Sequence, residues 1–95
     1  MQAHQDFEWD DAKAQGNVVK HGVEFSYATR VFLDPWRIDM DVSRTEERES
    51  RRKTIGLIQG RLFTVVYTVR GETTRIISAR RCDTTESKVY GPFHA

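Results

Sequence analysis

Cysteine is almost absent from this 95-residue chain: Cys82 stands alone, so no internal disulfide can staple the fold. A lone thiol suits a reducing compartment, and the cytoplasm is the expected location. Proline occurs twice and glycine six times, with no Pro/Gly/Ser tract between them. No linker divides the chain, and residues 1–95 are expected to form a single domain. A chain of this length buries only roughly 60–65% of the surface it exposes when unfolded, which excludes a two-lobed enzyme. No apolar run reaches the roughly 18 residues of a membrane span, so no membrane partner is expected. The start, Met1 to Asp6, lacks the basic and then apolar stretch of a signal peptide. The three histidines (His4, His21 and His94) show no zinc-ligand spacing with each other or with Cys82. No phosphate loop, dinucleotide-binding glycine turn or nucleophile elbow occurs either, so neither a metal nor a cofactor is expected.

What the chain does have is charge, and it is unevenly spread. Residues 1–47 carry ten acids and five bases, and residues 48–95 carry ten bases and four acids. The halves stand at −5 and +6 although the net charge is only +1. Arginine outnumbers lysine 11 to 4, and arginine is the planar, bidentate cation that suits phosphate and stacks on bases. Such asymmetry points to a nucleic-acid face, unless folding interleaves the two halves and mixes their charges. Ten aromatic residues exclude a disordered polar chain.

The pattern along the chain predicts eight elements in the order β-α-α-β-β-β-β-α. Phe7-Glu8-Trp9 reads as a short strand. Asp10 and Asp11 cap and open a first helix that stops at His21-Gly22. Gly16 and Asn17 weaken that helix internally. Ser26 reads as the cap of a second helix, with Tyr27, Ala28, Val31 and Phe32 at helical spacing and Asp34-Pro35 as its end. Ile38 to Val42 alternates as a half-exposed strand, and Arg44 to Arg52 reads as a loop. Three β-rich runs follow: 53–58, 61–69 and 73–80, joined at Gln59-Gly60 and Gly71-Glu72 as an antiparallel meander. Thr84 caps a short last helix that ends at Gly91-Pro92. The expected fold is a small two-layer α+β domain, with two N-terminal helices packed on an antiparallel sheet and a short C-terminal helix.

Strand alternation puts Arg75, Ile77, Ala79 and Arg81 on one face, and Thr74, Ile76, Ser78 and Arg80 on the other. In the meander Lys53 is expected beside Val69, Arg70 and Arg75, and Arg61 beside Arg80, which gives a basic cluster at each end of the sheet. These bases suit surface solubility or edge protection as well as phosphate binding. A ribonuclease without a metal needs a base at the RNA 2′-OH, cations on the phosphate and a donor for the leaving 5′-oxygen. His21, Lys53, Tyr90 or a glutamate can act as the acid–base partner.

Phe7-Glu8-Trp9-Asp10, Lys13, then Asn17-Val18-Val19-Lys20-His21-Gly22-Val23 with Phe25 and Ala28 resembles the opening of the BrnT toxin family. Thr54-Ile55-Gly56, Gly60-Arg61-Leu62-Phe63-Thr64-Val65-Val66-Tyr67-Thr68, Arg75-Ile76-Ile77-Ser78-Ala79-Arg80-Arg81, Glu86 and Tyr90 extend the resemblance across residues 7–90. The resemblance implies a RelE-like fold and the toxin of a type II toxin–antitoxin pair. It implies RNA cleavage that arrests translation, without a cofactor. It also implies a BrnA-type antitoxin with a ribbon-helix-helix DNA-binding part, through which alone the toxin reaches operator DNA. By the pattern of RelE-like toxins, Lys53, Arg61 and Arg80 would surround the phosphate, Tyr90 would stack on a base or assist proton transfer, and His21 would be the acid–base group. Lys20, Arg52, Arg75 and Arg81 would bind RNA around them. Each has a structural alternative. His21 and Lys20 suit a helix C-terminus, Tyr90 can pack the last helix on the sheet, and Trp9 suits the core. A toxin-fold module that binds antitoxin and represses its operon, with little catalysis, is the alternative function.

Overall fold

The computed structural model describes residues 6–46 and 48–91. His4, His94 and Pro92 of the expected helix stop lie outside the described residues. The elements are β1 (Asp6–Glu8), α1 (Asp11–His21), α2 (Phe25–Ala28), a 3-10 turn (Thr29–Leu33), β2 (Ile38–Asp41), β3 (Arg52–Ile58), β4 (Arg61–Arg70), β5 (Thr73–Arg81) and α3 (Thr84–Tyr90). This is an α+β domain with one five-stranded sheet, ordered β1-β5-β4-β3-β2.

The sheet corrects the expectation of a purely antiparallel array. β2 to β5 are antiparallel to one another, but β1 pairs with β5 in parallel, Phe7 opposite Thr74. The reason is connectivity: α1, α2, β2, β3 and β4 all intervene, so β1 is free to enter in either direction. Only hairpin-linked neighbours are forced antiparallel.

Two helix starts also differ. Asp10 caps α1 as expected, accepting from the Lys13 N–H at 2.9 Å, and Gly22 closes it at φ 69°, where a side chain would be strained. At α2, however, Glu24 rather than Ser26 is the cap, and it makes no side-chain capping bond. The segment tightens after one turn into the 3-10 turn, which ends at Asp34 before Pro35. At α3 the cap is Asp83, not Thr84. Asp83 accepts from the Glu86 N–H at 2.8 Å while Glu86 accepts from the Asp83 N–H at 2.9 Å, a reciprocal capping box.

One face of the sheet carries the main core. Ile58, Phe63, Val65, Tyr67, Ile76 and Ala79 pack there against Val23, Phe25, Ala28 and Val31. Each buried Val, Ile or Phe side chain among them contributes roughly 1.5–3 kcal/mol. Gly56 lies on this face because Val31 crosses it: an added Cβ would stand 2.6 Å from Val31 Cγ2. The opposite face is covered in part by α3, with Ile55 and Thr64 sealed beneath.

The facing of β5 departs from simple alternation. Val66 pairs with Ser78 and the next residue, Tyr67, with Ile76, so Ile77 is an extra residue in a β-bulge. The bulge shifts the phase. Arg81, opposite Phe63, lies on the same face as Ile76 and Ala79, and Arg80, opposite Thr64, on the other. The register also separates bases expected together. Lys53 pairs with Val66, not near Arg70, and Arg61 lies on the opposite face from Arg80.

Candidate nucleic-acid interface and cleavage pocket

Three basic residues from distant parts of the chain converge where α1 ends. α1 delivers His21 in its last turn, the start of β4 delivers Arg61, and the end of β5 delivers Arg81. Together with Gly22, Glu24, Tyr27 and Phe63 they line an open pocket of about 500 Å³. Gly22 turns the chain sharply at the helix stop, which places Glu24 in the pocket wall beside His21. The Arg81 guanidinium lies over the Phe63 ring, 5.5 Å from its centroid. Phe63 meets Tyr27 edge-on at 5.7 Å, and Arg30 lies over Tyr27 at 5.2 Å. Arg81 is exposed beside that ring, and a guanidinium held there and open to solvent suits phosphate.

Asn17 fixes the two halves of this pocket to each other. Its side-chain nitrogen donates to the backbone carbonyls of Val23 at 2.9 Å and Ala79 at 2.7 Å, and its oxygen accepts from the Ala79 N–H at 3.2 Å. A residue that weakens the helix on propensity grounds is thus retained for a buried tertiary contact.

The remaining expected site residues lie elsewhere. Lys53 and Arg80 meet on the opposite face, around Glu86. Arg80 grips the Glu86 carboxylate with two bonds of 2.7 Å, and the Lys53 ammonium lies 3.2 Å from it. Burial pushes the Glu86 carboxyl up, but Arg80, the Asp83 N–H, Thr64 and Lys53 outweigh burial and hold it at about 2. This lock ties α3 to β3 and β5. Tyr90 is sealed at 1% exposure, and its hydroxyl donates to Asp34 Oδ2 at 2.6 Å. Burial first, then Asp34, pushes that phenol well above its ordinary value. Its ring has no face open to a nucleobase in this conformation.

Arg52 bonds Asp39 of β2, and Arg75 bonds Glu8 of β1 at 2.7 Å, so these two cations tie the edge strands to the sheet. Lys20 is exposed on the last turn of α1. Trp9 is half-buried and packs edge-on against Phe25. A second, smaller basic hollow of about 300 Å³ lies between Arg44, Arg51, Lys53 and Ser78 on the α3 side of the sheet.

A family model described as "Ribonuclease toxin, BrnT, of type II toxin-antitoxin system" matches residues 9–86, about four-fifths of the chain. The chain belongs to the BrnT toxin family. No curated protein matches it. Membership makes this BrnT chain a ribonuclease toxin of a type II system, with an antitoxin as partner. Among its described residues no helix is long and apolar enough to cross a membrane.

Sequence reasoning put His21 and Arg61 in one site of this BrnT chain with Arg81 around it, but grouped them with Lys53, Arg80 and Tyr90, which the fold places elsewhere. It missed Glu24, Tyr27 and Phe63, which carry no signal of their own until α2 is brought against the β3–β4 hairpin. Glu86 stood only among the residues of the family resemblance; its capping box with Asp83 is missed when Thr84 is read as the cap, although an acid three residues after Asp83 carries that signal.

Proposed function

We propose that the pocket at the end of α1 is the cleavage centre of a metal-independent endoribonuclease. The observation that carries this reading is the convergence of His21, Glu24, Arg61 and Arg81 on one pocket. The pocket's own groups supply each part of the reaction. Glu24 takes the proton of the RNA 2′-OH, and the 2′-oxygen attacks the adjacent phosphorus. Arg61 and Arg81 hold the non-bridging oxygens as negative charge gathers on them. The bond to the 5′-oxygen breaks, and His21 delivers a proton to that oxygen. The products are a 2′,3′-cyclic phosphate and a free 5′-hydroxyl, with no cofactor consumed.

Lys20 adds a cation at the rim. Lys53 and Arg80 support the fold through Glu86, and Tyr90 does so through Asp34. Arg52 and Arg75 act on RNA only indirectly, by holding the edge strands. On this reading the chain is a RelE-like toxin that works in the cytoplasm and arrests translation by cutting mRNA. Its antitoxin is BrnA-type, carries the operator-binding part and covers the pocket.

Purified chain incubated with mRNA in EDTA tests the reading. Cleavage is expected, with cyclic-phosphate ends, and its loss in His21→Ala and Arg81→Ala. Intact RNA with the wild-type chain, or undiminished cleavage by both variants, overturns it.

A further inference from the structure

The hairpin between β3 and β4 is built on Gln59 and Gly60, and Gln59 holds φ at 51°. That left-handed backbone favours glycine and asparagine, and a longer side chain there is strained. Gln59 is exposed, yet its amide is oriented. The Tyr27 hydroxyl donates to Gln59 Oε1 at 2.6 Å. Tyr27 is itself held between Phe63 and Arg30 and lines the cleavage pocket. The amide nitrogen, on the other side of the same group, makes no hydrogen bond among the described residues. A strained position thus presents two N–H donors next to Tyr27 of the pocket wall, two residues before Arg61.

We propose that Gln59 reads the RNA base next to the cleaved bond and selects guanine; this rests on the pocket being the RNA site. A glutamine that pairs with adenine offers an acceptor and a donor to the same base edge. Here the acceptor is turned inward onto Tyr27, and only the donors face outward. Adenine presents one acceptor (N7) beside a donor (N6), so its amino group meets the Gln59 amino group head-on. Guanine presents two acceptors, N7 and O6, on one edge. Uracil offers one carbonyl on the corresponding edge, and cytosine an amino group. Unpaired bases in single-stranded RNA expose these edges, so the substrate is a single strand.

The test uses U-rich RNA nine-mers, labelled with fluorescein, that carry one central guanine or one central adenine. Wild type is expected to cleave the guanine oligonucleotide about tenfold faster. Gln59→Asn suits the left-handed turn better, so it folds, but its shorter side chain withdraws the donors. Its guanine-to-adenine ratio is expected to fall to about twofold or less. Tyr27→Phe frees the amide to rotate and is expected to lower the ratio as well. Binding of both oligonucleotides to His21→Ala chain, with and without Gln59→Asn, separates the two readings. Guanine-selective binding that Gln59→Asn abolishes, with no cleavage by wild type, sustains the assignment of Gln59 and overturns the nuclease. Cleavage with no preference, or with a preference that Gln59→Asn leaves intact, overturns the assignment and leaves the nuclease. Neither binding nor cleavage overturns both.

Discussion

Asn17, in the middle of α1, takes up both backbone polar groups of Ala79 on β5. Pairing between β1 and β5 ends at Arg75, so Ala79 lies on an edge that β1 no longer covers. The side-chain amide stands in for the missing strand. Four residues after Asn17 comes His21, and two after Ala79 comes Arg81, so this one contact sets His21 and Arg81 in the wall of one pocket. Asn17→Ala strands the buried Ala79 N–H and two buried carbonyls, of Ala79 and Val23, and is expected to cost about 3 kcal/mol in urea unfolding. RNA cleavage is expected to fall further than the folded fraction does. A loss under about 1 kcal/mol would show that water replaces the amide without penalty.

Arg80 and Arg81 are neighbours in sequence with opposite tasks. Arg81→Ala removes a pocket cation stacked on an aromatic ring and is expected to lower cleavage about 100-fold with the unfolding midpoint little changed. Arg80→Ala leaves the Glu86 carboxylate with Lys53 as its remaining cation, at about 2–3 kcal/mol of stability. Its cleavage per folded molecule is expected to stay close to wild type. Paired thermal melts and cleavage assays on the two variants decide; the reverse pattern would move the reaction to the α3 side of the sheet.

The Glu86 lock also gives stability a sign with pH. Its carboxyl is held at about 2 in the folded chain, against an ordinary value of 4.5. The contribution is therefore full above about pH 4.5 and is lost as pH falls through about 2. It amounts to about 3 kcal/mol. Glu86→Gln is expected to be less stable than wild type by this order at pH 7, with the gap closing as the pH approaches 2. Urea midpoints measured from pH 7 to 2.5 follow it; a gap that stays constant would show that packing, not charge, carries the lock.

Gly56 is required by the close crossing of Val31. Gly56→Ala places a methyl 2.6 Å from Val31 Cγ2, with Arg37 Cβ and Asp34 Oδ2 at 3.2 and 3.3 Å behind it. An overpacking cost of about 1–3 kcal/mol is expected. Adding Val31→Ala is expected to recover part of it, a coupling that a double-mutant cycle measures directly. Strictly additive losses would place the strain elsewhere.

The legible parts of this molecule were those whose physics is local. Asp10 and Gly22 bracket α1 because an N-cap and a left-handed stop act within one turn. The Gln59-Gly60 and Gly71-Glu72 turns fix the meander because tight turns leave neighbouring strands no choice but to pair. The resemblance to a toxin family was likewise carried by short motifs at readable spacing.

Tertiary structure decided the rest. The direction of β1 depends on a pairing made across 67 residues, between Glu8 and Arg75. The bulge at Ile77 lies in the pairing of β5 with β4, and it moves Ile76 onto the face of Ala79 and Arg81, and Arg75 onto the face of Arg80. Strand alternation is a rule about unbroken strands, and one inserted residue inverts it. The sequence by itself determined which elements form, where they turn and how their charge is divided. Which cations share a face, and which of them meet His21, was decided by register and by the Asn17 contact, because those are free-energy choices among packings that no local rule ranks.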